Sequence, residues 1–169
     1  MNGQCADLKK YKILSRERSS IYVVDGDWDF NGRAELSGPI WQNQMELNYR
    51  TIPKLPGYEE EKIVQLGKKR FVVGRNNLNT VFRHETGHQV LGHAREYRKE
   101  WIQAWKEIGE TKIKKQISIY AGEKPTEFFA ETFTIYTSPE FVTGSLNKAL
   151  NYDIESIIKK CLAVDPSTY

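Results

Sequence analysis

Cysteine is scarce in this chain of 169 residues, which contains only Cys5 and Cys161. The two lie near opposite ends of the sequence, so they are too few and too far apart to form a disulfide framework, and their positions leave open whether they pair. A chain of this length can bury a hydrophobic core without disulfides or a structural metal. Any metal that it binds is therefore expected to serve chemistry rather than to hold the fold together.

Long hydrophobic runs are missing as well. Hydrophobic residues make up 39% of the sequence and charged residues 28%, which is typical of a globular protein. No apolar stretch approaches the roughly 20 residues that a membrane-spanning helix needs, and residues 1–12 lack the apolar segment of a secretory signal. The sequence thus predicts no membrane span, and either a protein that stays inside the cell or a mature or excised domain.

Neither sign of charge dominates, since the formal net charge is +3 at pH 7. Small basic clusters occur at 68–70 and 112–115, and we interpret them as solvated faces rather than phosphate or membrane patches. Nucleic-acid binding requires a concentrated basic surface, which this distribution does not provide. The sequence therefore predicts no nucleic-acid partner, and it does not define an oligomeric state.

The pattern of apolar and turn-forming residues changes near residue 76. Upstream, short β-prone runs alternate with turn residues, and downstream apolar residues recur at helical spacing. We expect strands at 21–24, within 40–47 and at 70–73, with the turn chemistry of a hairpin at 29–32. The sequence predicts one α+β domain over 1–169, with a β-rich part at 1–76 and a helical part at 77–169.

The helical part carries start and stop signals. Asn77 or Asn79 can cap a helix that extends through residue 91, with Gly92 placed where that helix ends or bends. Pro125 suits the first turn of a helix through residue 137, and Asp153 can cap a last helix that ends near residue 164. A stripe at helical spacing is predicted to be core rather than a platform for an aromatic ligand: Ala94, Tyr97, Trp101, Trp105 and Ile108.

The most specific feature is His84-Glu85-Thr86-Gly87-His88, an H-E-x-x-H motif in a chain with three histidines. On a helix, the four-residue spacing turns the second imidazole only about 40° from the first, so both rings can reach one ion. Glu85 projects beside that ion, where its carboxylate can take a proton from metal-bound water. The motif predicts a zinc hydrolase.

Catalytic zinc usually has three protein ligands and one open position, so a third ligand has to come from elsewhere in the chain. The helix predicted over 125–137 is apolar on most faces, yet Glu127 and Glu131 lie one turn apart on the same side of it. Two carboxylates buried together are costly unless a cation lies near them. We expect Glu127 to be the ligand and Glu131 to accept a hydrogen bond from the ring N–H of His84 or His88. The alternative is a pair of solvated carboxylates.

His93 competes with Glu127 for the role of third ligand. Metzincins carry a glycine and a histidine three and six residues after the second motif histidine, whereas Gly92 and His93 follow His88 by four and five residues. Five residues correspond to about 140° around a helix, so His93 is expected to point away from the ion unless the helix breaks at Gly92. We interpret His93 as a histidine of the surface or of the helix end.

These motifs resemble a known family. His84, Glu85 and His88, followed by Tyr120 and the string Glu127-Phe128-Phe129-Ala130-Glu131-x-Phe133, are similar to the catalytic domain of anthrax lethal factor and the related clostridial Pro-Pro endopeptidases. In that family a tyrosine seven residues before the glutamate ligand donates a hydrogen bond during catalysis, and Tyr120 stands in that position here. The resemblance, which covers 76–140, implies a zincin-like fold and a role for Tyr120 at the oxyanion of the tetrahedral intermediate.

The expected function is that of a zinc-dependent endopeptidase of gluzincin type. Zn²⁺ held by His84, His88 and Glu127 would activate water and polarise the scissile carbonyl, while Glu85 passes the water proton to the leaving amine. An extended peptide or protein substrate would pair with an edge strand, for which we choose 71–73.

The alternative function is a non-catalytic zincin-like module that binds a partner or serves a structural role, such as a toxin-like or phage-associated appendage. Glu85 and Tyr120 would have no function in such a module, so their joint presence favours catalysis. The relatives cleave next to proline or in basic segments flanked by apolar residues, and some of them are secreted. The sequence chooses neither a substrate nor a compartment.

Overall fold

Strands precede helices along the chain. The computed structural model describes residues 20–24, 32–35, 44–48, 62–73 and 78–164. The strands are β1 (Ser20–Val24), β2 (Gly32–Glu35), β3 (Gln44–Asn48), β4 (Lys62–Leu66) and β5 (Lys69–Val73). The α-helices are α1 (Leu78–His93), α2 (Arg98–Ile108), α3 (Glu110–Gln116), α4 (Pro125–Tyr136), α5 (Ser145–Leu150) and α6 (Ile154–Ala163), with 3-10 helices at Arg95–Tyr97 and Tyr120–Gly122. This order confirms the predicted α+β class, in a mostly helical form.

The described strands form two small sheets. In the first, β3 lies between β1 and β2 and pairs parallel with β1 and antiparallel with β2. Strands β1 and β2 are thus separated by β3. The hairpin turn predicted at 29–32 falls largely on residues 25–31, which lie outside the described residues. In the second sheet, β4 and β5 form an antiparallel hairpin around Gly67, whose φ of 63° favours glycine.

Helices α1 and α4 approach each other closely at Gly87. Helix α1 packs against β2, β3 and α4. A Cβ added at Gly87 would lie 2.9 Å from the Cα of Ala130 and 3.2 Å from the Cβ of Phe133. The first of these distances is shorter than van der Waals contact and involves backbone, which cannot rotate away as a flexible side chain can. A glycine at position 87 therefore permits the observed spacing of the two helices.

The predicted stripe of α2 and the segment before it belongs to the core. Ala94, Trp101 and Ile108 are buried, and Tyr97 and Trp105 are half-buried against the same cluster. The ring of Trp101 stacks on Phe128 and meets Phe129 edge-on, with centroids 4.8 and 4.9 Å apart respectively. Its indole N–H also donates to the carbonyl of Pro125 at 2.7 Å. Trp101 thus fixes the start of α4 by packing and by a directed hydrogen bond.

Helix α1 neither ends nor bends away at Gly92 but continues to His93. Arg98 explains how it ends, because the guanidinium donates to the carbonyls of Leu91 and Gly92, both at 3.1 Å. These carbonyls belong to the last turn of α1, where a positive charge also favours the helix dipole. Asn79 lies inside α1 and is not its cap, and residue 77 lies outside the described residues.

Two side chains cap the last two helices, and they are not the expected ones. Asp153 precedes α6, but its side chain caps no amide of that helix and instead accepts from Asn147 Nδ2 at 2.6 Å. Asn147 Oδ1 in turn accepts from the amide of Glu155 at 3.0 Å. The buried carboxylate of Glu155 accepts from the amides of Gly144 and Leu146 at the start of α5. The two helices therefore cap each other. Asp153 occupies the N-cap position of α6, as predicted, but its side chain does not supply the capping hydrogen bond.

Cys161 is buried in α6, and burial raises the pKa of its thiol to about 12. A thiol of this kind stays protonated and unreactive at neutral pH. Cys5, with which its pairing was left open, lies outside the described residues. Within the described part of the chain, no helix combines the length and the apolar character needed to cross a membrane.

Replacing Gly87 by alanine tests the close approach of α1 and α4. At an open helical position this change stabilises a protein by up to about 1 kcal/mol, because alanine has the higher helix propensity. Here the added methyl group would force α1 away from α4, and we expect the free energy of unfolding to fall by about 1–3 kcal/mol. Chemical denaturation measures the change, and a gain in stability would contradict the packing described above.

Candidate metal centre

Three potential ligand atoms from α1 and α4 converge on one point. His84 Nε2 lies 3.1 Å from Glu127 Oε2 and 3.1 Å from His88 Nε2, and His88 Nε2 lies 3.4 Å from Glu127 Oε2. Within the described residues, this is the group of histidine, cysteine and acidic side chains whose arrangement suits a metal ion. The structure thus brings together the three residues that the sequence singled out as ligands.

The dimensions and chemistry of this triangle fit zinc. Two imidazole nitrogens and one carboxylate oxygen are a common donor set for catalytic zinc, with bonds of about 2.0–2.2 Å. Ligand atoms on a tetrahedron with such bonds are separated by about 3.3–3.6 Å. The observed sides of 3.1, 3.1 and 3.4 Å are close to this edge length. An ion seated on the triangle would keep a fourth position for water or substrate.

Glu131 lies behind His84, on the side of the ring away from the triangle. Its Oε1 is 3.0 Å from His84 Nδ1, and both side chains are 2% exposed. Neither His84 Nδ1 nor the other carboxylate oxygen of Glu131 forms a hydrogen bond within strict geometric limits. Of the two histidines that the sequence offered as donors to Glu131, the structure places His84 beside it.

The electrostatics of the triangle depend on its carboxylates. Burial alone would lower the pKa of His84, but the adjacent carboxylates of Glu127 and Glu131 outweigh this effect and raise it to about 9. For Glu127, burial alone would raise the pKa, but hydrogen bonds from His84 and His88 lower it well below its usual range. In the metal-free protein, a proton on His84 therefore supplies the positive charge that the site favours.

Glu85 lies beside the triangle rather than in it. It follows His84 on α1, so its side chain leaves the helix about 100° around the axis from the first ligand. The side chain is 3% exposed. Its charge also contributes to the raised pKa of His84, although less than the carboxylates of Glu127 and Glu131 do. A carboxyl group next to the ligands, without being one of them, suits a proton-transfer role.

Tyr120 lies in the 3-10 helix Tyr120–Gly122, which precedes α4 in the chain. Its ring centroid is 5.8 Å from that of His84, with an angle of 32° between the rings. The side chain is half-buried, so part of it faces solvent. The phenol therefore belongs to the immediate surroundings of the triangle, a placement that helical periodicity could not have indicated.

His93 takes no part in the group of ligand atoms among the described residues. It is the last residue of α1 and is half-buried. Because α1 continues through Gly92, the five-residue spacing from His88 turns His93 away from the ligands, as the periodicity predicted.

Two residues that support the site had no functional prediction. Gly87 occupies a variable position of the H-E-x-x-H motif. Because it has no side chain, α1 can pack closely against α4 at this point. Trp101 was expected in the core, but its hydrogen bond to Pro125 also orients the start of the helix that carries Glu127. Both roles depend on contacts between distant parts of the chain, which sequence patterns do not specify. The glycine inside the motif was the one feature of the sequence that could have indicated a close approach of another helix.

No protein-family model, curated protein or solved structure matches this chain. The functional interpretation therefore depends on the geometry of the described residues and on the motifs of the sequence.

The raised pKa of His84 predicts a pH dependence for the metal-free protein. His84 binds its proton more tightly in the folded state than at its ordinary pKa of 6.5, so its contribution to stability is complete below pH 6.5 and disappears as the pH rises to about 9. For Glu127 the sign is opposite, and its contribution disappears as the pH falls below 4.5. Urea unfolding in the presence of a chelator should show a loss of stability between pH 6.5 and 9.

The Glu127→Gln variant is the control for this dependence, because it removes one of the carboxylates that hold the proton on His84. Its stability should vary less over the same pH interval. If the wild-type protein and the variant lose stability equally, the dependence arises elsewhere in the chain.

Proposed function

We propose that this protein is a zinc-dependent endopeptidase of gluzincin type, built on a zincin-like fold. The observation that carries the proposal is the triangle of His84 Nε2, His88 Nε2 and Glu127 Oε2, with sides of 3.1 to 3.4 Å. Glu85 and Tyr120 flank this triangle, so a metal site, a proton acceptor and a hydrogen-bond donor lie within one small region. This combination is what peptide hydrolysis by a metallopeptidase requires.

His84, His88 and Glu127 would hold the ion. When bound, zinc lowers the pKa of a coordinated water and polarises the carbonyl of the scissile bond. Glu85 is the residue that takes the proton from the water and delivers it to the leaving amine, because its carboxyl group lies beside the ligands and is shielded from solvent. A buried carboxyl group holds its position, which shortens the search for a productive proton-transfer geometry.

Tyr120 would stabilise the negative oxygen that develops on the substrate carbonyl. A phenol donates a hydrogen bond without carrying charge at neutral pH, so it favours the oxyanion over the neutral carbonyl. The ring of Tyr120 lies against that of His84, with centroids 5.8 Å apart, which supports this role.

Glu131 would orient the first ligand. When a carboxylate accepts the Nδ1–H of a ligand histidine, it fixes the tautomer in which Nε2 presents its lone pair to the metal. The 3.0 Å separation of Glu131 Oε1 and His84 Nδ1 supports this role.

The substrate class is an extended peptide or protein segment. Strand β5, which contains the residues expected to pair with substrate, packs against α4 and pairs with β4 along one edge. Its other edge is the proposed partner of the substrate backbone. The basic residues 68–70 at the hairpin tip are exposed, as expected for a solvated face.

Metal binding tests the ligand set. We expect the wild-type protein to bind one Zn²⁺ per chain, and His84→Ala, His88→Ala and Glu127→Ala to abolish tight binding, because each removes one of three ligands. Glu131→Gln should weaken binding by about 10–100-fold, as is typical for groups that orient a ligand. Titration with a competing chelator measures these affinities.

His93→Ala is the matched control, since it removes the remaining histidine of the chain from the end of the same helix. Its zinc affinity should equal that of the wild-type protein. If His93→Ala loses the metal while Glu127→Ala retains it, the third ligand has been misidentified.

Catalysis is tested separately by Glu85→Ala. This variant should retain one Zn²⁺ per chain and lose peptide cleavage, with kcat reduced by about 10²–10⁴-fold, because it removes the proton carrier and leaves the ligands intact. Cleavage of a diverse peptide mixture, followed by mass spectrometry, reports activity and the preferred flanking residues together. A zinc-loaded wild-type protein without cleavage, or cleavage that is unaffected in Glu85→Ala, would favour a non-catalytic zincin-like module.

A further inference from the structure

The 3-10 helix that carries Tyr120 is held by hydrogen bonds from both sides. The amide of Ala121 donates to Ser118 Oγ at 2.9 Å, and Ser118 is buried. The carbonyl of Ala121 accepts from the indole N–H of Trp105 at 3.4 Å. Tyr120–Gly122 is only one turn long, so its conformation depends on such contacts more than that of a long helix does.

The bond to Ser118 acts on the peptide group that follows the Cα of Tyr120. That planar group consists of the carbonyl of Tyr120 and the amide of Ala121. Its N–H donates to Ser118 Oγ, and its oxygen accepts from the amide of Glu123 at 3.1 Å. Both polar atoms of one rigid plane are therefore bonded. This fixes the backbone next to Tyr120 and, through it, the direction in which the ring leaves the chain.

The turn is also packed tightly against α3. A Cβ added at Gly122 would overlap the Cγ of Lys114, so the backbone of the turn lies directly on the side chain of that residue. Lys114 in turn forms an ion pair with Glu110 on the same helix. Packing on α3 limits translation of the turn, whereas the hydrogen bonds at Ala121 limit its rotation.

We propose that Ser118 is a positioning residue that sets the phenol of Tyr120 relative to His84 and the candidate metal centre. The inference rests on the proposed function, because it assumes that the phenol donates to the reacting carbonyl. Ser118 touches neither substrate nor metal in this scheme. It acts through the peptide plane of Tyr120, whose ring lies 5.8 Å from that of His84.

A double-mutant cycle with Ser118→Ala and Tyr120→Phe tests the role. Tyr120→Phe should reduce kcat by about 10²–10³-fold with little change in KM, the size of effect that removal of one oxyanion donor has. Ser118→Ala should reduce kcat in the same direction by up to about 100-fold, as misplacement of a catalytic group does, and should leave zinc affinity unchanged. In the Tyr120→Phe background, Ser118→Ala should have no further effect on kcat.

Two variants control for a general structural effect. Thr132→Val also deletes a buried hydroxyl, one that donates to the carbonyl of Phe128 within α4, and kcat should stay at the wild-type level. Ser118→Thr keeps the acceptor oxygen and should restore kcat. If Ser118→Ala lowers kcat equally in both backgrounds, or leaves kcat unchanged in an active enzyme, Ser118 does not act through Tyr120.

A measurement without substrate separates this inference from the proposed function. In protein labelled at tyrosine, the ring signals of Tyr120 are identified by their loss in Tyr120→Phe. They should shift or broaden in Ser118→Ala, remain unchanged in Thr132→Val and recover in Ser118→Thr. Unchanged ring signals in Ser118→Ala would overturn the positioning role even if peptide cleavage were confirmed, whereas absence of cleavage with the expected spectra would overturn the proposed function alone.

Discussion

The close approach of α1 and α4 is the constraint on which the candidate metal centre depends. Two candidate ligand atoms come from α1 and one from α4, so the distance of the Glu127 carboxylate from the two imidazoles is set by the distance between the helix axes rather than by local geometry. Gly87 lies at the crossing, where an added Cβ would be 2.9 Å from the backbone of Ala130. Because backbone meets backbone there, Glu127 on the next turn of α4 can reach both imidazoles at 3.1 to 3.4 Å. A larger residue at this position would separate the ligands as well as loosen the core.

A second constraint is electrostatic, since Glu85, Glu127 and Glu131 surround two imidazoles in a region with little solvent. Such a cluster requires positive charge. Without a cation, the proton on His84 supplies it, which is why the pKa of His84 rises although burial opposes the charged form. A divalent ion would supply more positive charge at the same nitrogen. Proton and metal therefore compete for His84, and the carboxylates that raise its pKa are also those that would favour the metal.

Local periodicity predicted the parts of the site that lie on one helix. The four-residue spacing of His84 and His88 defines their relation once α1 forms, and Glu127 and Glu131 share a face of α4 for the same reason. Pairings between distant segments were not predictable in this way. The placement of β3 between β1 and β2 and the contact of Gly87 with Ala130 depend on residues far apart in sequence. The two caps that join α5 to α6 depend on how consecutive helices pack on each other. Turn residues and cap residues signal that a chain can turn or begin a helix, and they do not specify the partner.

The candidate ligands and Tyr120 are held in place by different kinds of contact, so a substitution can affect one without affecting the other. The ligands stand on α1 and α4, whose relative position depends on packing against one another and on the anchoring of α4 by Trp101. Tyr120 stands on a single turn that is oriented by hydrogen bonds to Ala121. Core substitutions that displace α1 or α4 should therefore alter metal binding and the proposed catalysis together, because they move the candidate ligands. Loss of a hydrogen bond in the turn can displace the phenol while the ligand triangle stays intact. In the proposed mechanism, a donor supported in this way could be tuned without changing the affinity for the ion. This would be an advantage because the ion would be required throughout the reaction and the donor only in its transition state.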